Sequence, residues 1–151
     1  MESLNTLQFV AAALLAAIGL SLTSPVRAAK MFHGPVEANV VDVIDGDTFL
    51  ADALVWSGQS LRINIRIRGI DAPEMKSQCP TEHDAALRAR DGLADILGAE
   101  PIQISNIAGA KYYGRVLADV VAANGKEVAG EMIMRSLVRP YGGGKRVGWC
   151  D

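Results

Sequence analysis

Two short acidic segments carry the residues best suited to chemistry. Asp45 and Asp47 flank Gly46, with Thr48 next, and Asp71 and Glu74 flank Ala72-Pro73. Both read as turns or strand exits, and loops carry function more often than strand interiors do. Carboxylate oxygens completed by waters suit Ca²⁺ or Mg²⁺. The segment is not an EF-hand: counted from Asp45, the sixth residue is Leu50 rather than Gly and the twelfth is Trp56 rather than Glu. Asp-Gly-Asp alone is equally the composition of a solvated turn, so the two segments form a site only if the fold joins them. Arginines supply the opposite charge. Arg62, Arg66 and Arg68 alternate along one stretch, and Arg115 follows the turn residue Gly114, with Tyr112 and Tyr113 just before it. Arg binds phosphate in a bidentate fashion. A hard cation, a carboxylate left to handle water and convergent arginines together meet the needs of phosphodiester cleavage, in which charge on the phosphoryl oxygens must be neutralised.

The elements that must position these residues are short. Asn39–Ile44 is β-branched and reads as a strand, Asp45–Asp47 as a turn, and Thr48–Val55 as a second strand. In Leu61–Arg68 the residues Leu61, Ile63, Ile65 and Ile67 alternate with Arg62, Asn64, Arg66 and Arg68. Period two puts the apolar set on one face and the arginines on the other. A meander of these three strands brings the exits of the first and third within reach of each other. Thr81 as cap, with Asp84 three residues on, predicts a helix that Gly98 ends. Arg88, Arg90, Asp91 and Asp95 form its solvated face, with Asp84–Arg88 as an i,i+4 pair. Pro101–Ile107 and Val116–Val121 are two further strands, Asn124-Gly125 is a tight turn, Val128–Ser136 is a short helix, and Tyr141–Lys145 opens a Gly-rich tail. Five strands with a helix between the third and fourth is the order of an OB-fold barrel. The predicted class is α+β, mainly β, with that five-stranded barrel and a short C-terminal helix.

Composition fits one domain: the chain is 50% apolar, 5% aromatic and carries a formal charge of −2. A partner held by bulk positive charge is excluded. Two Cys and two His, with no Cys-x-x-Cys, argue against a zinc site of three or four such ligands. Phe9–Leu20 is an uncharged stretch too short to span a bilayer, followed by Pro25 and by Val26-Arg27-Ala28. This predicts a signal peptide over residues 1–28, a linker over 29–37, a domain over 38–140 and a tail over 141–151 tethered by Cys150. An uncleaved N-terminal anchor is the alternative, because the segment before Phe9 lacks Lys and Arg. Export would place Cys79 and Cys150 in an oxidising compartment, where a lone pair forms one bridge; two free buried thiols are the other possibility.

Three motifs in order, Val43–Thr48 (VIDGDT), Arg66–Glu74 (RIRGIDAPE) and Tyr113–Ala118 (YGRVLA), resemble the thermonuclease family of staphylococcal-nuclease-like enzymes. The similarity runs over roughly residues 38–140. It implies an OB barrel and Ca²⁺-dependent hydrolysis of DNA and RNA to 3′-phosphates. It implies Asp47, Asp71 and the main-chain carbonyl of Ala72 as calcium ligands, and Glu74 to orient or deprotonate the attacking water. Arg66 and Arg115 would stabilise the transition state from two sides. Asp45 would shape the turn, and Thr48 would reach a metal-bound water. Tyr113 and Tyr141 are the candidate substrate contacts, and the arginines at 62 and 68 would be groove or surface charges. The segment after Glu74 is shorter than in the type enzyme, and Gly142–Gly144 and Cys150 stand where its C-terminal helical region would be. The partner is then a nucleic-acid substrate, the location periplasmic or secreted, and the protein a monomer without stable membrane association once the signal is cleaved. A non-catalytic OB module that binds single strands or a protein is the alternative; it would have no use for Glu74 beside an acidic metal site.

Overall fold

The computed structural model describes residues 30–110 and 114–150. The predicted signal segment, Tyr113 and its neighbours Lys111 and Tyr112 lie outside the described residues. Strands β1 (Val36–Val43), β2 (Thr48–Trp56) and β3 (Gln59–Ile67) form an antiparallel meander. A two-residue strand β4 (Ile70–Asp71) follows, then helix α1 (Pro80–Leu97). Strands β5 (Ile102–Gly109) and β6 (Arg115–Val121), helix α2 (Val128–Met134) and a two-residue strand β7 (Arg139–Pro140) complete the order. The barrel closes as β1-β2-β3-β6-β5, with β5 returning to β1 and β3 running parallel to β6. The predicted OB-type barrel, with its helix between the third and fourth barrel strands, is the architecture observed.

The core follows from the alternation. Phe49 and Ala51 of β2, Ile65 and Ile67 of β3, Ile102 and Ile104 of β5, and Ala118 and Val120 of β6 are buried. Inward residues of successive strands thus fill a small barrel. One member of the predicted apolar stripe departs from it: Leu61 is exposed, with Leu54, Val55 and Trp56 beside it. The β2–β3 hairpin tip projects past the core, so period two there sorts faces but buries neither. Helix α1 lays Ala86, Ala89, Leu93, Ile96 and Leu97 inward. Its N-cap is Cys79 rather than Thr81, with no side-chain cap, and Pro80 occupies the first turn. Proline's fixed φ and missing N–H suit that position, so the helix starts without the Thr81–Asp84 box. The Asp84–Arg88 pair is not among the ion pairs of the described residues; Arg90 holds Asp91 and Arg135 of the segment after α2 holds Asp95.

Other boundaries move by a few residues. β1 starts at Val36, three residues before the predicted Asn39, because it pairs there with β5. Phe32 adds a bridge to Ile107. The extra pair β4–β7, joining Ile70 to Pro140 and Asp71 to Arg139, was not foreseen. It ties the end of the barrel to the C-terminal tail. Cys79 and Cys150 form the disulfide, with Cα atoms 6.2 Å apart.

Candidate active site

The turn between β1 and β2 and the exit of β3 meet. Ile67 donates its N–H to the carbonyl of Asp47 at 2.8 Å, and Ala72 donates its N–H to Asp47 Oδ2 at 3.1 Å. Thr48 stands opposite Arg66 in the β2–β3 register. Gly46 permits the approach: a Cβ built there would lie 2.6 Å from Ala89 Cβ and 2.9 Å from Ala72 Cβ. No side chain fits between the turn, helix α1 and the segment after β4. The meander therefore joins the two acidic segments that are separate in sequence.

Asp47 is buried and saturated with donors. Thr48 Oγ1 donates to its Oδ1 at 2.8 Å, and Arg66 Nη1 forms a close ion pair with the same oxygen. Thr48 thus reaches the carboxylate of Asp47. Asp45 Oδ1 accepts the N–H of Asp47 at 2.9 Å, an Asx-type contact within the turn. Burial first, then the neighbouring Asp47 charge, raise the Asp45 carboxyl from 3.8 to about 6. Arg66 also reaches the carbonyl of Ile70 at 3.3 Å and Asp71 Oδ1 at 3.8 Å.

Asp71 is buried, and its Oδ1 accepts no aligned hydrogen bond. Its compensation is charge, chiefly Arg146 Nε at 2.5 Å. The same guanidinium donates from Nη2 to the carbonyl of Ala72 at 2.7 Å and pairs closely through Nη1 with Glu74 Oε1. Glu74 is otherwise exposed, and its N–H donates to Glu82 at 3.1 Å. Arg146 was not singled out in the sequence. The signal that could have found it is indirect: a bridge from Cys150 to Cys79 brings the tail past Glu74.

Asp45, Asp47, Arg66, Ala72, Glu74 and Arg146 line one open cleft of about 930 Å³, together with Arg68, Arg115, Tyr141 and Gly142–Gly144. Arg115 stands beside Asn64 in the parallel β3–β6 register, so it faces the cleft from the strand next to Arg66. Tyr141 is fixed by its own backbone and tip: its N–H donates to Gly69, and its hydroxyl donates to the carbonyl of Gly144 at 2.7 Å. The remaining arginines of the β3 face divide. Arg62 makes a surface bidentate pair with Asp52, whereas Arg68 binds Asp119 at 3.0 Å and the carbonyl of Asn106 at 2.5 Å.

The donor set of Asp47, Asp71 and the Ala72 carbonyl is all hard oxygen, the chemistry Ca²⁺ requires. Buried carboxylates, one with an oxygen lacking a hydrogen bond, fit a cation. As they stand, these oxygens are held by guanidinium groups, and no group of three or more acidic, His or Cys side chains among the described residues is arranged around an ion. A family model described as staphylococcal nuclease homologue matches residues 64–142. The match takes in Arg66, Asp71–Glu74, Arg115 and Tyr141, and it begins after Asp45–Thr48. No curated protein matches the chain.

Proposed function

The chain belongs to the staphylococcal nuclease homologue family, and from that membership we propose that it is an exported, Ca²⁺-dependent nuclease that hydrolyses phosphodiester bonds of DNA and RNA, leaving 3′-phosphates. The observation that carries this reading is the convergence of Asp47, Glu74, Arg66 and Arg115 on one cleft, with the buried Asp71 3.8 Å from Arg66. Asp47, Asp71 and the Ala72 carbonyl would hold the ion, with Asp45 setting the turn. Ca²⁺ bound there would supply positive charge against the phosphoryl oxygens.

Glu74 accepts a proton from the attacking water, which adds to phosphorus opposite the departing 5′-oxygen. Arg66 binds the phosphoryl group from the β3 side, and Arg115 does so from β6, nearer the leaving oxygen. Both donate to charge that grows in the transition state, where donors fixed in advance act most strongly. Arg66 enters this role already oriented by Asp47 and the Ile70 carbonyl. Tyr141, at the cleft wall, and Tyr113 contact the nucleotide. The Cys79–Cys150 bridge suits an oxidising compartment, which favours the exported location with residues 1–28 as the signal peptide.

The test uses purified protein with single-stranded and duplex DNA and RNA. Cleavage is expected to need Ca²⁺ and to stop with a chelator. Glu74→Gln, Arg66→Ala and Arg115→Ala should each lower the rate by about 10²-fold or more. Undiminished cleavage by a Glu74→Gln/Arg66→Ala double variant would refute the mechanism. Binding of single strands without cleavage under all metal conditions would instead identify the non-catalytic OB module.

A further inference from the structure

Arg146 has no part in the chemistry above, yet it occupies the middle of the acidic site. Its guanidinium contacts three groups at once: Asp71 Oδ1 at 2.5 Å, the Ala72 carbonyl at 2.7 Å and the Glu74 carboxylate. Two of these are the oxygens proposed for the metal, and the third is the proposed base. A guanidinium that contacts Asp71 Oδ1 and the Ala72 oxygen together places its charge where the ion would sit, so the two compete for these oxygens.

The tail is built to deliver this side chain. Before it, β7 is hydrogen-bonded to β4, and Tyr141 N–H reaches Gly69 at 2.8 Å. Gly143 and Gly144 then take φ of 101° and 94°, left-handed values open to glycine, and turn the chain back toward the site. After it, Arg139 stacks on Trp149 at 3.9 Å from the ring centroid and donates to the Gly148 carbonyl at 2.9 Å. Cys150 closes the segment onto Cys79. The stretch carrying Arg146 is thus held at both ends, and its length is spent in an arch across the cleft.

We propose that Arg146 is a built-in cation of this site, which competes with the divalent metal for Asp71 and Ala72 and holds Glu74 out of use, and that the Cys79–Cys150 bridge keeps it there. Metal loading then requires the 141–149 arch to release its arginine. This inference rests on the metal-dependent reading of the same site. Apparent metal affinity falls by the fraction of molecules whose site is open, so removing the competitor raises it.

The experiment is isothermal titration of the purified full chain with CaCl₂, comparing the parent, Arg146→Ala and Cys79→Ser/Cys150→Ser, with melting temperatures taken in chelator and in Ca²⁺. Arg146→Ala should bind Ca²⁺ about tenfold or more tightly than the parent. It should melt lower than the parent in chelator, where its carboxylates lose their counter-charge, and gain more in melting temperature from Ca²⁺. The double cysteine variant should fall between the two in affinity. Equal or weaker binding by Arg146→Ala, with Ca²⁺ bound by both proteins, overturns the competition and leaves the metal site standing. Tighter binding by Arg146→Ala with no change in the cysteine variant overturns the role of the bridge. Absence of Ca²⁺ binding in every protein overturns the metal assignment itself, and the competition with it.

Discussion

At the scale of single residues the site is a problem in buried charge. Asp47 and Asp71 are almost fully buried, and each is paired with a guanidinium. Arg66 is therefore structural as well as chemical. Removing one partner of a buried pair leaves the other uncompensated, at a cost of about 3–5 kcal/mol. Arg66→Ala should lower the urea midpoint by a corresponding amount in metal-free buffer, and Ca²⁺ should restore part of the loss, because a cation substitutes for the missing charge. A Ca²⁺-independent loss of stability would show that Asp47 does not face the ion. Asp45, Asp47, Arg66, Asp71 and Glu74 were all visible in the sequence, because residue type and motif order mark them. Arg146 was not. Nothing in its local sequence separates it from Lys145 beside it; its role depends on a chain reversal at two glycines and on a bridge to a distant cysteine.

At the scale of elements, the β1–β2 turn, the β3–β4 exit and helix α1 must touch for the carboxylates to converge. Gly46 is the point of contact, with Ala72 and Ala89 as its small neighbours. Gly46→Ala should destabilise the protein by about 1–3 kcal/mol, the usual cost of forcing a methyl into a packed site. It should also weaken Ca²⁺ binding, since the turn that aims Asp47 is the part that must yield; an unchanged melting temperature would show that the contact is looser than this. Elements with strong periodicity were readable. The β3 alternation predicted the buried Ile65 and Ile67 and the outward Arg66 correctly. It failed at Leu61, where the hairpin leaves the core, and α1 began at Pro80 because backbone geometry prevailed over the cap expected from composition. The two-residue pair β4–β7 carried no periodic signal, since two residues are too few to show one.

At the scale of the whole molecule, the bridge joins residues 71 positions apart and encloses α1, β5, β6, α2 and β7. A loop of that length restricts the unfolded chain by about 4 kcal/mol in the entropic account. Cys79→Ser/Cys150→Ser should therefore lose up to about that much stability, measured by denaturant titration, with a steeper slope because the unlinked chain unfolds to a more open state; an unchanged free energy of unfolding would show that the bridge braces the tail without stabilising the fold. The net charge of −2, which argued against nucleic acid as a bulk-charge partner, does not describe the cleft, where Arg66, Arg68, Arg115 and Arg146 gather. The tail also gives the molecule an optical property. Its two tryptophans sit in different surroundings: Trp56 stands in solvent at the hairpin tip, and the half-buried Trp149 lies beneath Arg139 next to the bridge. If the arch opens, emission from Trp149 should change while that from Trp56 stays constant, so the intrinsic fluorescence of the unmodified protein is expected to report the position of its own tail.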